Sequence, residues 1–332
     1  MAIVPQDQLM NNNYSKSAII DKARPIIVTG AAGLVGQNLI PQLKARGFTQ
    51  IIGIDKHPQN TATLRKLHPD ITVIEVDLSQ PGEWEGVFDD ASAVVMNHAQ
   101  IGGLDPDAFT QNNVTASHNV IAAMQRFHVS YMVAISSSVV ESVVVDNYTE
   151  TKKEQERLVL ESGIACCVLR PTLMFGWFDR KHLGWLARFM QKMPIFPIPS
   201  DGKFVRQPLY CGDFCNIIIS CIEQKRSGEV HNISGREKVY YIDLVRALKK
   251  ATSANAFILP IPYWLFWSLL KLYSLVDRDP PFTTKQLKAL TTPEVFEIID
   301  WPAIFGVQQT LLQDAIENTF QHPVYANITL EY

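Results

Sequence analysis

Pro25-Ile26-Ile27-Val28-Thr29-Gly30-Ala31-Ala32-Gly33-Leu34-Val35-Gly36 opens on a β-branched run and closes on three glycines spaced by three. Ile26, Ile27 and Val28 read as a short buried strand. From Gln37 to Lys44 the pattern turns helical, with Leu39, Ile40 and Leu43 on one face. Strand, glycine turn and helix in that order form a phosphate cradle. Glycines let the backbone approach a pyrophosphate, and the helix N-terminus offers free N–H groups and the positive end of its dipole. A second β-rich run, Ile51 to Ile54, ends at Asp55. A carboxylate about 20 residues beyond such a turn is placed to hydrogen-bond an adenosine ribose.

Composition narrows the class. The 332 residues are 47% hydrophobic and 19% charged, enough for one large core or two smaller ones. With a formal net charge of −3 and no basic cluster, nucleic acid is excluded as an expected partner. The cysteines, Cys166, Cys167, Cys211, Cys215 and Cys221, are odd in number and contain no Cys-x-x-Cys pair. Reduced thiols in a cytoplasmic protein are expected, with no disulfide framework and no metal site. No secretory signal pattern opens the chain. Residues 1–24 are polar and read as a mobile tail.

Further along, apolar strands recur at Ile71–Val76, Ala93–Met96, Val129–Ile135 and Ile164–Leu169, with helical patterns at Phe109–Phe127 and Tyr148–Ser162. This alternation predicts an α/β fold, a doubly wound parallel sheet of Rossmann type with helices on both faces. Ligands in such sheets lie beyond the strand C-termini. The polar clusters at 29–36, 55, 77, 97–99, 136–138 and 170–171 all fall at such ends. Beyond Pro171 the pattern loosens. Helices are expected at Asp213–Glu223, Ile242–Ala251, Thr284–Leu290 and Leu311–Phe320, and a short strand at Glu229–Ile233. Tyr263 to Val276 is strongly apolar, yet shorter than the ~18 unbroken apolar residues of a membrane span. Core or interface burial is the first reading of that segment, and peripheral membrane contact the second.

Tyr148 and Lys152 stand four apart at the start of a helix, so their side chains share a face. An ammonium beside a phenol lowers its pKa from about 10. Such a tyrosine exchanges a proton with a substrate alcohol or carbonyl. A serine at the preceding strand end, Ser137 first and Ser138 second, would hold the same oxygen. Asp213 reads as a helix cap.

The chain resembles the extended short-chain dehydrogenases/reductases of the sugar-nucleotide epimerase and dehydratase type. The matching residues are Thr29 to Gly36, Asp55, Asp77-Leu78, Asn113-Val114, Ile135-Ser136-Ser137, Tyr148 to Lys152 and Leu169-Arg170-Pro171. A second set comprises Asp201-Gly202, Arg206, Tyr210 to Asp213 and His231 to Gly235. The resemblance spans about residues 25–320. It implies NAD(P), with the Asp55 carboxylate favouring NAD over NADP, held by Gly30, Gly33, Leu34, Val35, Gly36, Asp55, Lys56, Asp77, Leu78, Ala99, Tyr148, Lys152 and Pro171. It implies catalysis by Ser137, Tyr148 and Lys152, and substrate contacts from Ser138 and from Arg206, which matches an arginine that holds the nucleotide diphosphate. The implied domains are 25–172, rejoined by 208–235, for the cofactor, and 173–207 with 236–332 for the substrate. A homodimer and a small-molecule substrate, a nucleotide sugar, follow from the same resemblance.

Two features depart from that family. The segment from Ser137 to Tyr148 is short and apolar, carrying Val139, Val140, Val143, Val144 and Val145. No Asp-Glu pair follows the serine, which disfavours dehydration and leaves epimerisation or ketone reduction. A hydroxysteroid- or flavonoid-type dehydrogenase is the second reading, and a dinucleotide-binding module without turnover the third.

Overall fold

Strand β1 (Ile26–Thr29) is buried along its whole length. Ile26 and Val28 belong to one apolar cluster and Ile27 to another, so both faces of the strand are covered. In the computed structural model, which describes residues 20–143, 145–276, 283–292 and 295–331, β1 lies inside a seven-stranded sheet. The others are β2 (Ile51–Asp55), β3 (Thr72–Glu75), β4 (Ala93–Met96), β5 (Tyr131–Ile135), β6 (Ala165–Pro171) and a late strand, Glu229–Ile233. All six pairings are parallel. The order runs Glu229–Ile233, β6, β5, β4, β1, β2, β3. Strand order therefore reverses between β1 and β4, and a doubly wound sheet opens its ligand crevice there.

Helices cover both faces. α1 (Leu34–Ala45) follows the glycine turn, and α2 (Pro58–Leu67) follows β2. The helix expected over 109–127 is broken: α3 (Pro106–Phe109) passes into a π-helical turn, Thr110–Thr115, before α4 (Ala116–Arg126). Such a turn adds a residue to the helical circuit and frees carbonyls for other partners. α5 (Asn147–Glu161) carries Tyr148 and Lys152, and its N-cap Asp146 accepts the Thr149 N–H at 2.8 Å.

A third apolar cluster gathers Phe175, Met190, Phe196, Leu244, Val245 and Ile316 from the later segments. There the strand Ile195–Pro199 pairs in parallel with the strand Phe257–Ile261. The chain between them contains the short strand Val205–Arg206 and the helix Tyr241–Ala251. Residues 1–19 lie outside the described residues. Ile20, 3% exposed, already packs into the sheet core, so packing begins before residue 25. Trp301 and Phe305 also join that core, although they follow the substrate segments in sequence. At the far end Asn60 exchanges two hydrogen bonds with the Glu331 backbone, at 2.8 and 2.9 Å. Among the described residues no helix is long and apolar enough to cross a membrane.

Candidate active site

The three glycines of the turn serve different needs. Gly30 has φ of 63°, and a Cβ there would stand 2.8 Å from the Cα of His98 at the end of β4. Gly36 presses α1 onto the turn, since a Cβ would come within 2.6 Å of the Ala31 Cα. Gly33 is different. A Cβ would meet only the Gly30 carbonyl, at 3.4 Å, so packing does not demand glycine there. Gly33 is the N-cap of α1, makes no side-chain cap and has no acid in the first turn after it. The Gly33 N–H donates to the Gly30 carbonyl at 3.2 Å, and the first N–H groups of α1 after it have no side-chain cap, which suits an anion.

Asp55 closes this cradle. Its carboxylate accepts the Ala32 N–H at 2.9 Å and the His57 N–H at 3.1 Å, fixing the turn against β2. Burial raises its pKa, and these backbone donors oppose the rise. The neighbouring Lys56 reaches Asn112 at 2.6 Å and Asp77 at 3.3 Å. Asp77 also accepts the Ser79 N–H, and Leu78 is buried with its carbonyl bonded to Asn119. Ala99 is exposed just past His98, and Pro171 is buried at the end of β6. A glycine cradle open at Gly33, a helix N-terminus without competing acids and a carboxylate at the β2 end fit a dinucleotide.

The candidate acid–base groups stand at the C-terminal end of β5 and the N-terminal end of α5. Ser137, 9% exposed, stands near enough to Tyr148 to act on its phenol, whereas Ser138 is half-buried in the next turn. The expected pairing of Tyr148 with the Lys152 ammonium is not what sets the phenol. Its pKa is raised, first by burial and then by Asp146, while Ser137 works to lower it. Lys152 has no part in the shift. The reason lies in what Lys152 touches. It is 1% exposed, donates to the Ile135 carbonyl at 2.8 Å and to the Gln155 side chain. Burial brings its pKa down to about 7, opposed by Glu156.

Behind this pair runs a buried polar network with members that the sequence did not single out. His98 spans Thr29 at 2.8 Å and Ser117 at 3.0 Å. Burial, then Lys152, brings its pKa down to about 3, so the imidazole is neutral. Gln155 donates to Ser117 at 2.7 Å. Glu156 accepts from Ser136 and from Arg170, whose Nη1 also reaches Glu141 at 2.7 Å. Asn113, wholly buried in the π turn, bonds both backbone groups of Gln100 and the Thr151 hydroxyl. Gln155 shares a helix face with Lys152, a spacing that could have drawn attention to it.

Two candidates are engaged elsewhere. The Arg206 guanidinium donates to the carbonyls of Val205, Leu290 and Thr292, at the C-terminal end of the helix Thr284–Thr291. Asp213 does not cap its own helix. It accepts from the Thr310 N–H at 3.0 Å and hydroxyl at 2.6 Å, and burial raises its pKa to about 6. All five cysteines are free and buried, with the Cys167 and Cys221 sulfurs 3.7 Å apart. Ligand atoms of Cys167, Glu229 and His231 lie within 4.8 Å of one another. That Glu229 carboxylate is taken by His231 at 2.8 Å and Arg226 at 2.9 Å.

Residues 26–234 match the model of the NAD dependent epimerase/dehydratase family. The chain is 26% identical over 250 residues to the decarboxylating sterol-4-alpha-carboxylate 3-dehydrogenase of Schizosaccharomyces pombe, covering 67% of this chain and 73% of that one. It is 24% identical over 285 residues to a UDP-glucose 4-epimerase of Vibrio cholerae, 77% of this chain and 85% of the other. In fold it is similar to the UDP-glucose 4-epimerase of Thermotoga maritima, with TM-score 0.69 and 18% identity over 89% of this chain and 97% of that one. The chain belongs to the NAD-dependent epimerase/dehydratase family, the extended short-chain dehydrogenases/reductases, whose enzymes work with NAD.

Proposed function

We propose that this enzyme oxidises and reduces a secondary alcohol carbon of a nucleotide sugar, as an epimerase or ketoreductase, with Tyr148 moving the proton. The observation that carries this is the nearness of Ser137 to the Tyr148 phenol, whose pKa it works to lower, at the strand ends where a doubly wound sheet takes its ligand. NAD, when bound, supplies the hydride acceptor and donor. Tyr148, held as the phenol by burial, donates its proton to a carbonyl oxygen during reduction. Ser137 orients that oxygen and stabilises the phenolate left behind. Lys152 ties the second turn of α5 to the end of β5 through the Ile135 carbonyl, which holds Tyr148 in place.

The nucleotide-sugar reading draws support from the epimerase relative, which matches more of this chain than the sterol enzyme does. A second reading, oxidation of a less polar alcohol such as a sterol, has its own observation. Arg206 spends its donors on backbone carbonyls, and Val143 and Val145 are 96% and 78% exposed on the loop before Tyr148. The deciding experiment is turnover with NADH or NAD on panels of UDP-sugars and 3-hydroxysteroids. Turnover confined to steroids overturns the first reading. Binding of NADH without turnover on either panel favours a non-catalytic module. A homodimer on the cytoplasmic side, where reduced thiols belong, completes the proposal, and light scattering checks the dimer.

A further inference from the structure

We propose that the strand Phe257–Ile261 and the helix that follows it form a docking surface for an anionic phospholipid bilayer. Tyr263–Val276 reads Tyr-Trp-Leu-Phe-Trp-Ser-Leu-Leu-Lys-Leu-Tyr-Ser-Leu-Val. An apolar helix of this kind is expected inside a core. Here Phe266 is buried, while Trp264 is 67% exposed, Leu272 61%, Leu269 51% and Trp267 41%. The strand leading into it adds Phe257, 63% exposed. Singly exposed apolar residues are ordinary, but a contiguous run with two tryptophans marks an interaction site.

Charge identifies the partner. Arg246, Lys249 and Lys250, from the last turns of the helix Tyr241–Ala251, line a depression of about 750 Å³ together with Phe257, Ile258 and Pro260. The cations and the apolar strand therefore share one wall. Arg246 is paired with Asp243. Lys249 and Lys250 make no side-chain hydrogen bond or ion pair among the described residues. On the helix itself the Lys271 ammonium stands 6.0 Å from the centre of the Trp267 ring. Interfaces between protein copies exclude lysine from their apolar centres. Tryptophan and tyrosine flanked by lysine suit the headgroup layer of a membrane, with the apolar rings in the acyl boundary and the ammonium groups among phosphates. Fourteen residues span about 21 Å as a helix, short of the hydrocarbon thickness. The helix therefore lies in the plane of the surface.

The test is flotation of the full chain with vesicles of phosphatidylcholine, alone or doped with phosphatidylglycerol. Binding to the doped vesicles that weakens with salt is expected. Replacing both lysines, Lys249→Gln with Lys250→Gln, should lower the partition coefficient by about 30-fold, from the usual contribution of a basic residue at an anionic surface. Trp264→Glu with Trp267→Glu should abolish flotation, and NADH titration should be unchanged in every variant, which reports an intact fold. A parent protein that stays with the soluble fraction overturns the proposal, as does tryptophan-substituted protein that floats like the parent. A parent dimer that becomes monomeric on the tryptophan substitutions, without vesicle binding, assigns the surface to a second copy and also overturns it.

Discussion

Ser137 acts on the Tyr148 phenol from the end of β5, and the order of their mutational effects follows from that. Tyr148→Phe keeps the ring and removes the oxygen, so it should lower single-turnover hydride transfer by about 10²–10⁴-fold with the melting temperature retained. Ser137→Ala should cost less and Ser138→Ala least, because Ser138 sits in the next turn. Near-parent turnover in Tyr148→Phe would remove the phenol from the mechanism. Lys152 supports a separate test. Its pKa falls from 10.5 in the unfolded chain to about 7 in the folded one. Between those values the unfolded chain binds more protons, so stability from this residue rises with pH through that window. Denaturant melts should show the parent gaining on Lys152→Met as pH rises from neutrality, read below about pH 8.5, where unfolded cysteines begin to ionise. A pH-independent difference would mean the lysine is hydrated. For Asp55, a fluorescence titration should give tighter binding of NADH than NADPH. A carboxylate repels a 2′-phosphate, and Lys56, bonded to Asn112 and Asp77, is held away from relieving it. Comparable binding of the two would sink this.

The glycine turn, taken as an element, separates packing from binding within a few residues. Gly33→Val should leave the melting temperature near that of the parent yet remove NADH binding, because the added side chain meets only the Gly30 carbonyl and occupies the cradle. Gly36→Ala should do the reverse in emphasis. Its Cβ would collide with the Ala31 backbone, and overpacking of this kind costs about 1–3 kcal/mol. Paired thermal melts and NADH titrations check both, and a Gly33→Val chain that still binds NADH would take the turn out of the cofactor site. The helix expected over 109–127 shows the limit of periodicity. Its apolar spacing survives on α4, where Val120, Ile121 and Met124 are buried. The π turn at Thr110–Thr115 leaves no trace in that spacing, because it arises where Asn113 must reach Gln100 and Thr151.

At the scale of the whole molecule, the chain returns to the sheet from both ends. Ile20 and Trp301 pack in one core with α1, and Glu331 closes on α2. Arg206 joins two such distant segments, holding the end of the helix Thr284–Thr291 from the strand Val205–Arg206. A cation at a helix C-terminus with main-chain acceptors is a stabilising arrangement. Arg206→Ala should therefore lower stability by about 1–2 kcal/mol, since it leaves carbonyls without their donor. Calorimetry measures the loss. A raised KM for a nucleotide sugar with unchanged stability would instead return Arg206 to the role of a diphosphate ligand.

The amino-acid sequence alone determined the β1–turn–α1–β2 unit and the parallel sheet. Each of these is a local matter of β-branched runs, glycine spacing and which side chains share a helix face. Only the tertiary structure decided that burial raises the Tyr148 pKa, that Lys152 turns to Ile135 and Gln155, and that His98 links Thr29 to Ser117. It also decided that Arg206 closes a helix, and that Trp264 and Trp267 face outward. Desolvation and hydrogen bonds between residues far apart in sequence depend on what packs around a group, and no local pattern records that.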